Sequence, residues 1–485
     1  MSPEVLTILV PRADLHALLP EIFICSAAFA LLMIDLFLTP QRRGLIHFLA
    51  LLVLVAAAVL TARDMGPAVV GFGGMFVRDT AADVLKLGVY AVTALAFVYA
   101  KPFLQDRDLF KGEFYALALF AVLGMMLMIS AGSLVSLYLG LELLALSSYG
   151  LVAMDRDNPI ASEAAMKDFV LGALASGLLL YGMSMVYGAT GSLDLATIHA
   201  AAANPGDHGL LLFGVVFMLV GIAFKFGAAP FHMWVPDVYQ GAPTAITLFI
   251  GSVPKFAYFG MAYRLLESGA GPLDGDWRIM VAWLAAASLV VGNVIALAQT
   301  NFKRLLAYST ISHVGFLFLG LANGGPTGYA AAMFYAVSYA VMAAAAFASI
   351  LLLSRRGFDA ERIADFRGLW QKNGPHALLV LFIMASLAGV PPFLGFWAKL
   401  EVIKAALDGG LAWLAILAVV CAVIGAFYYL RIVRAMFFEE PEGDGPQLHP
   451  DGHVRVAFAV NAGALLVLGV FAEPLLAACR SAFAP

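Results

Sequence analysis

The sequence predicts an all-α integral membrane protein of about 14 transmembrane helices, with two inverted five-helix repeats and broken helices seven and twelve. Three observations carry that expectation. Of the 485 residues, 62% are hydrophobic and only 12% charged, with a mean hydropathy of +0.91, the composition of a polytopic membrane protein. Runs of about 20 apolar residues, the length that crosses a bilayer at about 1.5 Å per residue, recur between polar or Gly/Pro punctuation. Two of these runs are too long for one straight crossing and share the same Gly-x-x-Pro-Phe or Gly-x-Pro-Pro-Phe interruption.

In chain order, the first six spans begin near residues 18, 44, 82, 113, 132 and 163, and the other eight near 208, 243, 279, 303, 327, 375, 411 and 455. The opening MSPEVLTILVPRADLH lacks the basic region and small-residue cleavage site of a signal peptide, so the first span is expected to serve as its own insertion signal. Connections after odd-numbered spans carry Arg42, Arg43, Lys101, Arg107, Lys111, Arg156, Lys303 and Arg304, and further on Arg355, Arg356, Arg362, Arg367, Arg431 and Arg434. The other side holds about half as many basic residues, and this asymmetry sets orientation. It places both termini in the periplasm or its equivalent and the 354–374 loop in the cytoplasm, in a multi-pass protein.

Composition also excludes functions. A net charge of -4 with no basic run gives no footprint for nucleic acid. Cys25, Cys421 and Cys479 lie far apart in apolar surroundings, which argues against a disulfide framework or a metal site. There is no Gly-rich nucleotide loop, no cysteine cluster and no paired-histidine pattern, so no cofactor is expected in this chain.

The most informative stretch is 208–240, where an apolar run ends at Lys225 and is followed by GAAPFHMWVPDVYQ. Lipid cannot solvate free backbone groups, so a broken span survives only packed in protein or lining a wet cavity. Gly227 and Pro230 of this break match Gly389, Pro391 and Pro392 of span twelve, at a constant offset of 162 residues. Paired broken helices in corresponding halves point to the binding site of an inverted-repeat transporter. The expected division is a three-helix segment over 1–110, a first repeat over 111–270 (spans four to eight), a second over 271–440 (spans nine to thirteen), and span fourteen over 441–485.

A charge at mid-bilayer costs on the order of 2.5 to 3.5 kcal/mol, so each needs a reason. Five stand out: Glu142 in span five, Lys167 in span six, Lys225 at the first break, Lys255 after Pro254 in span eight, and Lys399 after the second break. The plainer reading pairs Glu142 with one lysine as a structural ion pair and lets the others snorkel to an interface. It suits Lys167, which sits one turn beyond Glu163 and next to Asp168 in what reads as a membrane-edge ion cluster, better than it suits Lys255, far from either end. The functional reading is a proton relay. Desolvation disfavours an ammonium and a nearby carboxylate favours it, so moving Glu142 relative to Lys225 changes whether that lysine holds its proton. Ser309 and His313 share a face of span ten at i,i+4 and suit a relay as well as a packed hydrogen-bonded pair. His232 within the break is expected to satisfy freed backbone groups. Tyr428 and Tyr429, followed by Arg431, read as an interfacial belt, and Ser147, Ser148 and Tyr149 as interhelical hydrogen bonders.

Together SLYLGLELLALSSYGLVA, SEAAMKDFVLGALASGLLLYG, KFGAAPFHMWVPDVYQGAPT, NFKRLLAYSTISHVG and LAGVPPFLGFWAKL resemble the subunit N family, the antiporter-like membrane subunits of bacterial NADH:quinone oxidoreductase (respiratory complex I), over roughly residues 110 to 400. The resemblance implies a fourteen-helix antiporter-like fold and proton translocation driven by quinone reduction elsewhere in the complex. It implies neighbouring antiporter-like and other membrane-arm subunits as partners, and FMN, iron–sulfur clusters and quinone in partner subunits. Glu142, Lys225, Lys255 and Lys399 match the family's central charged residues, and Lys167 matches its span-six lysine. Asp168 departs from the family's aromatic or uncharged residue and is expected to hold Lys167 charged. The resemblance also implies a bacterial inner (cytoplasmic) membrane location, and the chain is expected to stop after span fourteen, without the long lateral helix that looks typical of the largest antiporter-like subunit. Rival readings are a subunit of a multisubunit cation/proton antiporter, a hydrogenase-linked membrane subunit, and a membrane scaffold whose charges only lock helices together.

Overall fold

The computed structural model describes residues 12–441 and 445–484, so most of the N-terminal stretch read for an insertion signal lies outside the described residues. The spans run Leu19–Leu36, Gly44–Arg63, Thr80–Asp106, Gly112–Ile129, Leu134–Val152 and Pro159–Thr190 for one to six. Span seven is His208–Phe226 followed by Trp234–Gly241, and span eight is Thr244–Ser252 continued by Pro254–Tyr263. Spans nine to eleven are Asp274–Leu297, Phe302–Asn323 and Gly325–Leu353, span twelve is Leu369–Ala388 then Leu394–Asp408, and spans thirteen and fourteen are Ala412–Phe438 and Gly452–Val470. Among the described residues, 13 of these helices are long and apolar enough to cross a membrane. The exception is span twelve, whose polar start LWQKNGPH and central break divide its apolar run. The starts follow from capping: Asp79, Ser133, Asn158, Asp207, Asn301 and Asp451 each accept a backbone N–H from the first turn of the helix they open, satisfying donors that lipid cannot.

The two five-helix groups use the same packing device in opposite directions. Spans four and five approach so closely that a methyl on Gly124 would sit 2.6 Å from the Gly140 carbonyl oxygen. Spans nine and ten do the same at Gly292, where the added carbon would lie 2.5 Å from the Ser312 nitrogen. Small residues let membrane helices pack backbone to backbone, and dispersion contacts replace the missing hydrophobic drive. Span four leaves the face that carries Arg43 and Lys111, whereas span nine arrives there at Leu297, so the second group is inverted relative to the first. Span ten is wholly buried, spans eight and eleven almost so, and only about a third of spans one, two and fourteen is buried. Polar groups carried by span ten are therefore shielded from lipid on every side.

Connections after odd-numbered spans gather on one basic face. There Arg107 pairs with Asp359, Lys303 donates to Glu361 at 2.9 Å and to the Ala242 carbonyl at 2.7 Å, His449 meets Asp106 at 3.2 Å, and Arg431 donates to the Leu297 carbonyl at 2.9 Å. The opposite face holds a small hairpin, Val69–Gly71 with Phe76–Arg78, to which Asp14 is tied through the Phe72 amide at 2.8 Å. Near the other described end, Phe483 packs against Tyr263 and Tyr329 on that same face.

Candidate functional site

At the first break, Gly227 takes the left-handed conformation (φ 77°) that ends the helix after Lys225, an angle that costs other residues because Cβ meets the backbone. The Ala228 amide returns to the Ala223 carbonyl at 2.8 Å, and the Ala229 amide, with no helix to enter, donates to Ser288 Oγ of span nine at 2.9 Å. Trp234 Nε1 donates to the Phe224 carbonyl at 2.9 Å. His232, expected to satisfy freed backbone groups, instead has its Nδ1 buried without a hydrogen-bond partner among the described residues. The carbonyl of Phe226 is taken by Lys255 Nζ at 3.0 Å. The buried lysine of span eight therefore caps the broken end of span seven, one residue from Lys225. Val253 keeps helical angles before Pro254, and the helix of span eight is interrupted at that one residue.

The second break repeats the logic with its own lysine. Gly389 is again left-handed (φ 86°), and Lys399 Nζ donates to the Leu387 and Ala388 carbonyls at 2.9 and 2.8 Å. Both breaks have a cis peptide before proline, at Pro230 and at Pro392. A helix C-terminus carries partial negative charge, so each break offers a seat for an ammonium that lipid would reject. Lys225, Lys255 and Lys399 are all buried.

Between the two breaks lies a polar cluster on span ten. His313 Nδ1 meets the Tyr335 hydroxyl at 2.6 Å and Nε2 meets the Tyr429 hydroxyl at 3.1 Å. Tyr429 also pairs with Ser309 at 2.5 Å, so the i,i+4 pair of span ten converges on one hydroxyl. A neutral imidazole has one donor and one acceptor nitrogen, and with a hydroxyl on each it can take a proton on one side and give one up on the other. Lys399 lies within Coulombic range of His313 and over the Phe316 ring at 5.0 Å. On the other side, Phe318 packs edge-on against Phe226. Span ten thus bridges the two lysine seats. At the basic face, a cavity of about 400 Å³ is lined by Asp155, Asn158, Gln240, Lys303 and Glu361.

Several expectations need correction. Tyr428 and Tyr429 are not an interfacial belt: both are buried, Tyr428 donating to Asn293 Oδ1 at 3.1 Å, because this face of span thirteen packs on spans nine and ten. Arg431 does anchor at the basic face. Ser148 bonds back to the Leu144 carbonyl of its own helix at 2.8 Å instead of to a neighbour. Lys167 does sit in an edge cluster, bonded to Glu163 and Asp237 at 2.8 Å each, with Arg304 on the other oxygen of Asp237 at 2.8 Å. Asp168 is not part of that cluster: it follows Lys167 by about 100° around the helix and is buried on the face that meets Lys225. Nor is Glu142 paired directly with Lys225. It is partly exposed, its Oε1 has no hydrogen-bond partner, and it acts on the lysine only at Coulombic range.

Among the buried charges that escaped the sequence reading, two sites show why. Glu21 of span one and Lys86 of span three form an ion pair at 2.5 Å, both nearly inaccessible, and Lys303 is buried at the basic face. Neither stood out because Lys86 lies only two turns from the start of its helix and Lys303 one residue from its own, where snorkelling is the default. Pairing across 65 residues of sequence leaves no local signature.

Comparison with known proteins places this geometry. The model of the family described as NADH:quinone oxidoreductase/Mrp antiporter, TM, matches residues 131–425, a segment that contains both breaks and all six candidate relay residues. The chain is 57% identical to NADH-quinone oxidoreductase subunit N of Xanthomonas euvesicatoria pv. vesicatoria, over 97% of each chain. It is 51% identical to the protein of that name from Thioalkalivibrio sulfidiphilus, over 97% of this chain and 98% of the relative. The chain belongs to the subunit N family. Its fold matches a chain of respiratory complex I from Thermus thermophilus with bound aureothin, with a TM-score of 0.81, 34% identity, and coverage of 94% of this chain and 98% of that one. A chain of the Mrp complex from a Dietzia species shares the fold at a TM-score of 0.83 and 23% identity, covering 97% of each. Membership places the chain among translocase subunits of an oxidoreductase complex and among multi-pass membrane proteins.

Proposed function

We propose that the chain is a proton-translocating membrane-arm subunit of NADH:quinone oxidoreductase, moving protons along Glu142, Lys225, Lys255, His313 and Lys399 as quinone is reduced in other subunits. The observation that carries this reading is the pair of broken helices, each ending on a buried lysine's ammonium, with a histidine between two tyrosine hydroxyls bridging them. Lys167, in its ion cluster at the edge, sets the field around the first break through Asp237. Residues 111–270 and 271–440 act as two half-channels, with 1–110 and 441–485 as flanking segments. No catalytic redox step falls to this chain: FMN, iron–sulfur clusters and quinone belong to partner subunits. The basic face is cytoplasmic and the face of both described ends periplasmic, in accordance with the basic-residue asymmetry.

Two rivals make different predictions. A cation/proton antiporter shares the fold, whereas relatives at 50% identity and above carry the subunit N name. A scaffold would use the lysines only to hold helices together. In proteoliposomes of the whole complex, Lys255→Ala is expected to leave an assembled enzyme whose NADH-driven proton pumping falls several-fold, whereas a scaffold role makes assembly fail. Full pumping by an assembled Glu142→Gln, Lys225→Ala double variant would overturn the relay.

A further inference from the structure

The first break holds a second carboxylate that the relay described above does not use. Asp168 is 7% exposed, in the first third of a span whose other buried positions are almost all small or apolar, among them Ala161, Ala164, Ala165, Gly172 and Ala175. That stripe faces span seven, where Gly182 and Gly214 let the two backbones touch. Asp168 shares this buried face, about 100° around the helix from Lys167, and so points inward, away from the lipid. It opens onto a cavity of about 30 Å³ lined also by Ser148, Tyr149, Lys225, Trp234 and Tyr258. This is room for about one water, and the walls supply the polar partners a water needs. Among the described residues, the Asp168 carboxylate makes no direct hydrogen bond or ion pair; its partner is Lys225, at Coulombic range.

Charge balance gives the arrangement a meaning. Glu142 and Asp168 both act on the single ammonium of Lys225, so with all three ionised the cluster, in which Lys225 and Asp168 are buried and Glu142 partly exposed, is one negative charge in excess. Isolated charge is costly in a bilayer, and the neutral form of the cluster carries one additional proton. Among the described residues, every other titratable group that faces Asp168 is a phenol: Tyr149 of span five, Tyr239 of span seven and Tyr258 of span eight.

We infer that Asp168 is a proton-carrying residue of the first half-channel, exchanging a proton with Lys225 through the water-sized cavity between them. The step begins once Lys225 has passed its own proton onward, and it balances: the carboxylic O–H of Asp168 breaks as its proton passes to the intervening water, and that water gives one of its own protons to the now neutral Lys225 Nζ, with the net charge of the cluster unchanged. The products are a carboxylate and an ammonium. Lys225 then draws on two carboxylates from different directions, Glu142 on span five and Asp168 on span six. The inference rests on the relay reading above.

The test uses the whole complex in proteoliposomes and compares Asp168→Asn, Asp168→Glu, Glu142→Gln and Lys225→Ala. Asp168→Asn keeps shape and polarity but holds no exchangeable acid proton. It is expected to lower pumping per assembled complex several-fold and to change its pH profile, and Asp168→Glu is expected to restore both. Adding Asp168→Asn to Lys225→Ala should cause no further loss, because the two act in series. If Asp168→Asn pumps normally with an unchanged pH profile while Glu142→Gln and Lys225→Ala are impaired, this inference is wrong and the relay stands. If Asp168→Asn lowers only the yield or thermal stability of the complex, Asp168 is structural and the inference fails. If all of the variants pump normally, the relay reading itself fails.

Discussion

At Gly389 backbone geometry and side-chain chemistry impose one constraint. Its φ of 86° ends the first half of span twelve, and a methyl group there would lie 2.9 Å from Lys399 Cδ and 3.3 Å from its Nζ. Alanine therefore carries a left-handed backbone cost on the order of 1–2 kcal/mol and also pushes the ammonium from the Leu387 and Ala388 carbonyls. The Gly389→Ala complex is expected to assemble with modestly lowered thermal stability and to pump protons several-fold more slowly; normal pumping would show that Lys399 need not be seated at the break. Gly227 obeys the same rule against Val235 Cγ2, 2.5 Å from the would-be carbon. These glycines were legible, because a Gly followed closely by Pro inside an apolar run ends one helix and bars its continuation. The acceptors of Lys255 and Lys399 were not, since which carbonyl a lysine reaches depends on how two helices cross. Asp168 shows the same limit: adjacency in sequence suggested Lys167 as its partner, but adjacent residues on a helix point about 100° apart.

Among the elements, span ten and its contact with span thirteen decide whether the two breaks communicate. Tyr429 serves Ser309 and His313 with one hydroxyl, whereas Tyr428 serves Asn293, which is itself held by Ser312 at 2.8 Å and by the Leu289 carbonyl at 2.7 Å. Removing the Tyr429 hydroxyl leaves two buried groups short of a partner, a loss on the order of 1–3 kcal/mol for each unsatisfied group, and opens the hydroxyl chain at His313. Removing that of Tyr428 leaves Asn293 with its two donated bonds. Tyr429→Phe is therefore expected to depress proton pumping well below that of Tyr428→Phe, both assayed in the intact complex; equal activity would remove His313 from the path. The sequence pointed the other way because aromatic residues just before an arginine usually mark a membrane interface. Here the helix is 27 residues long, so Arg431 reaches the surface while the tyrosines two and three residues earlier remain within the bundle.

For the whole molecule, the number and order of spans were readable because bilayer thickness acts on composition alone: each crossing needs its own apolar run, and capping residues mark where it starts. The inward arrangement was readable only in part, since a fully buried helix such as span ten and a lipid-facing one such as span two are both apolar. Orientation rests on charges outside the lipid. The face bearing Arg43, Arg107, Arg304, Arg356 and Arg434 is bound together by ion pairs between connections far apart in sequence, Arg107 with Asp359 and Lys303 with Glu361. Basic connections resist translocation, so this face is expected in the cytoplasm. In a cysteine-free background, cysteines placed at the exposed Arg356 and at the exposed Ala203 of the opposite face report the outcome directly. A membrane-impermeant thiol reagent added to intact spheroplasts should label Ala203→Cys and leave Arg356→Cys untouched, with the pattern reversed in inside-out vesicles. The opposite result would put the 400 Å³ basic cavity on the periplasmic side and overturn the orientation proposed from the basic-residue asymmetry.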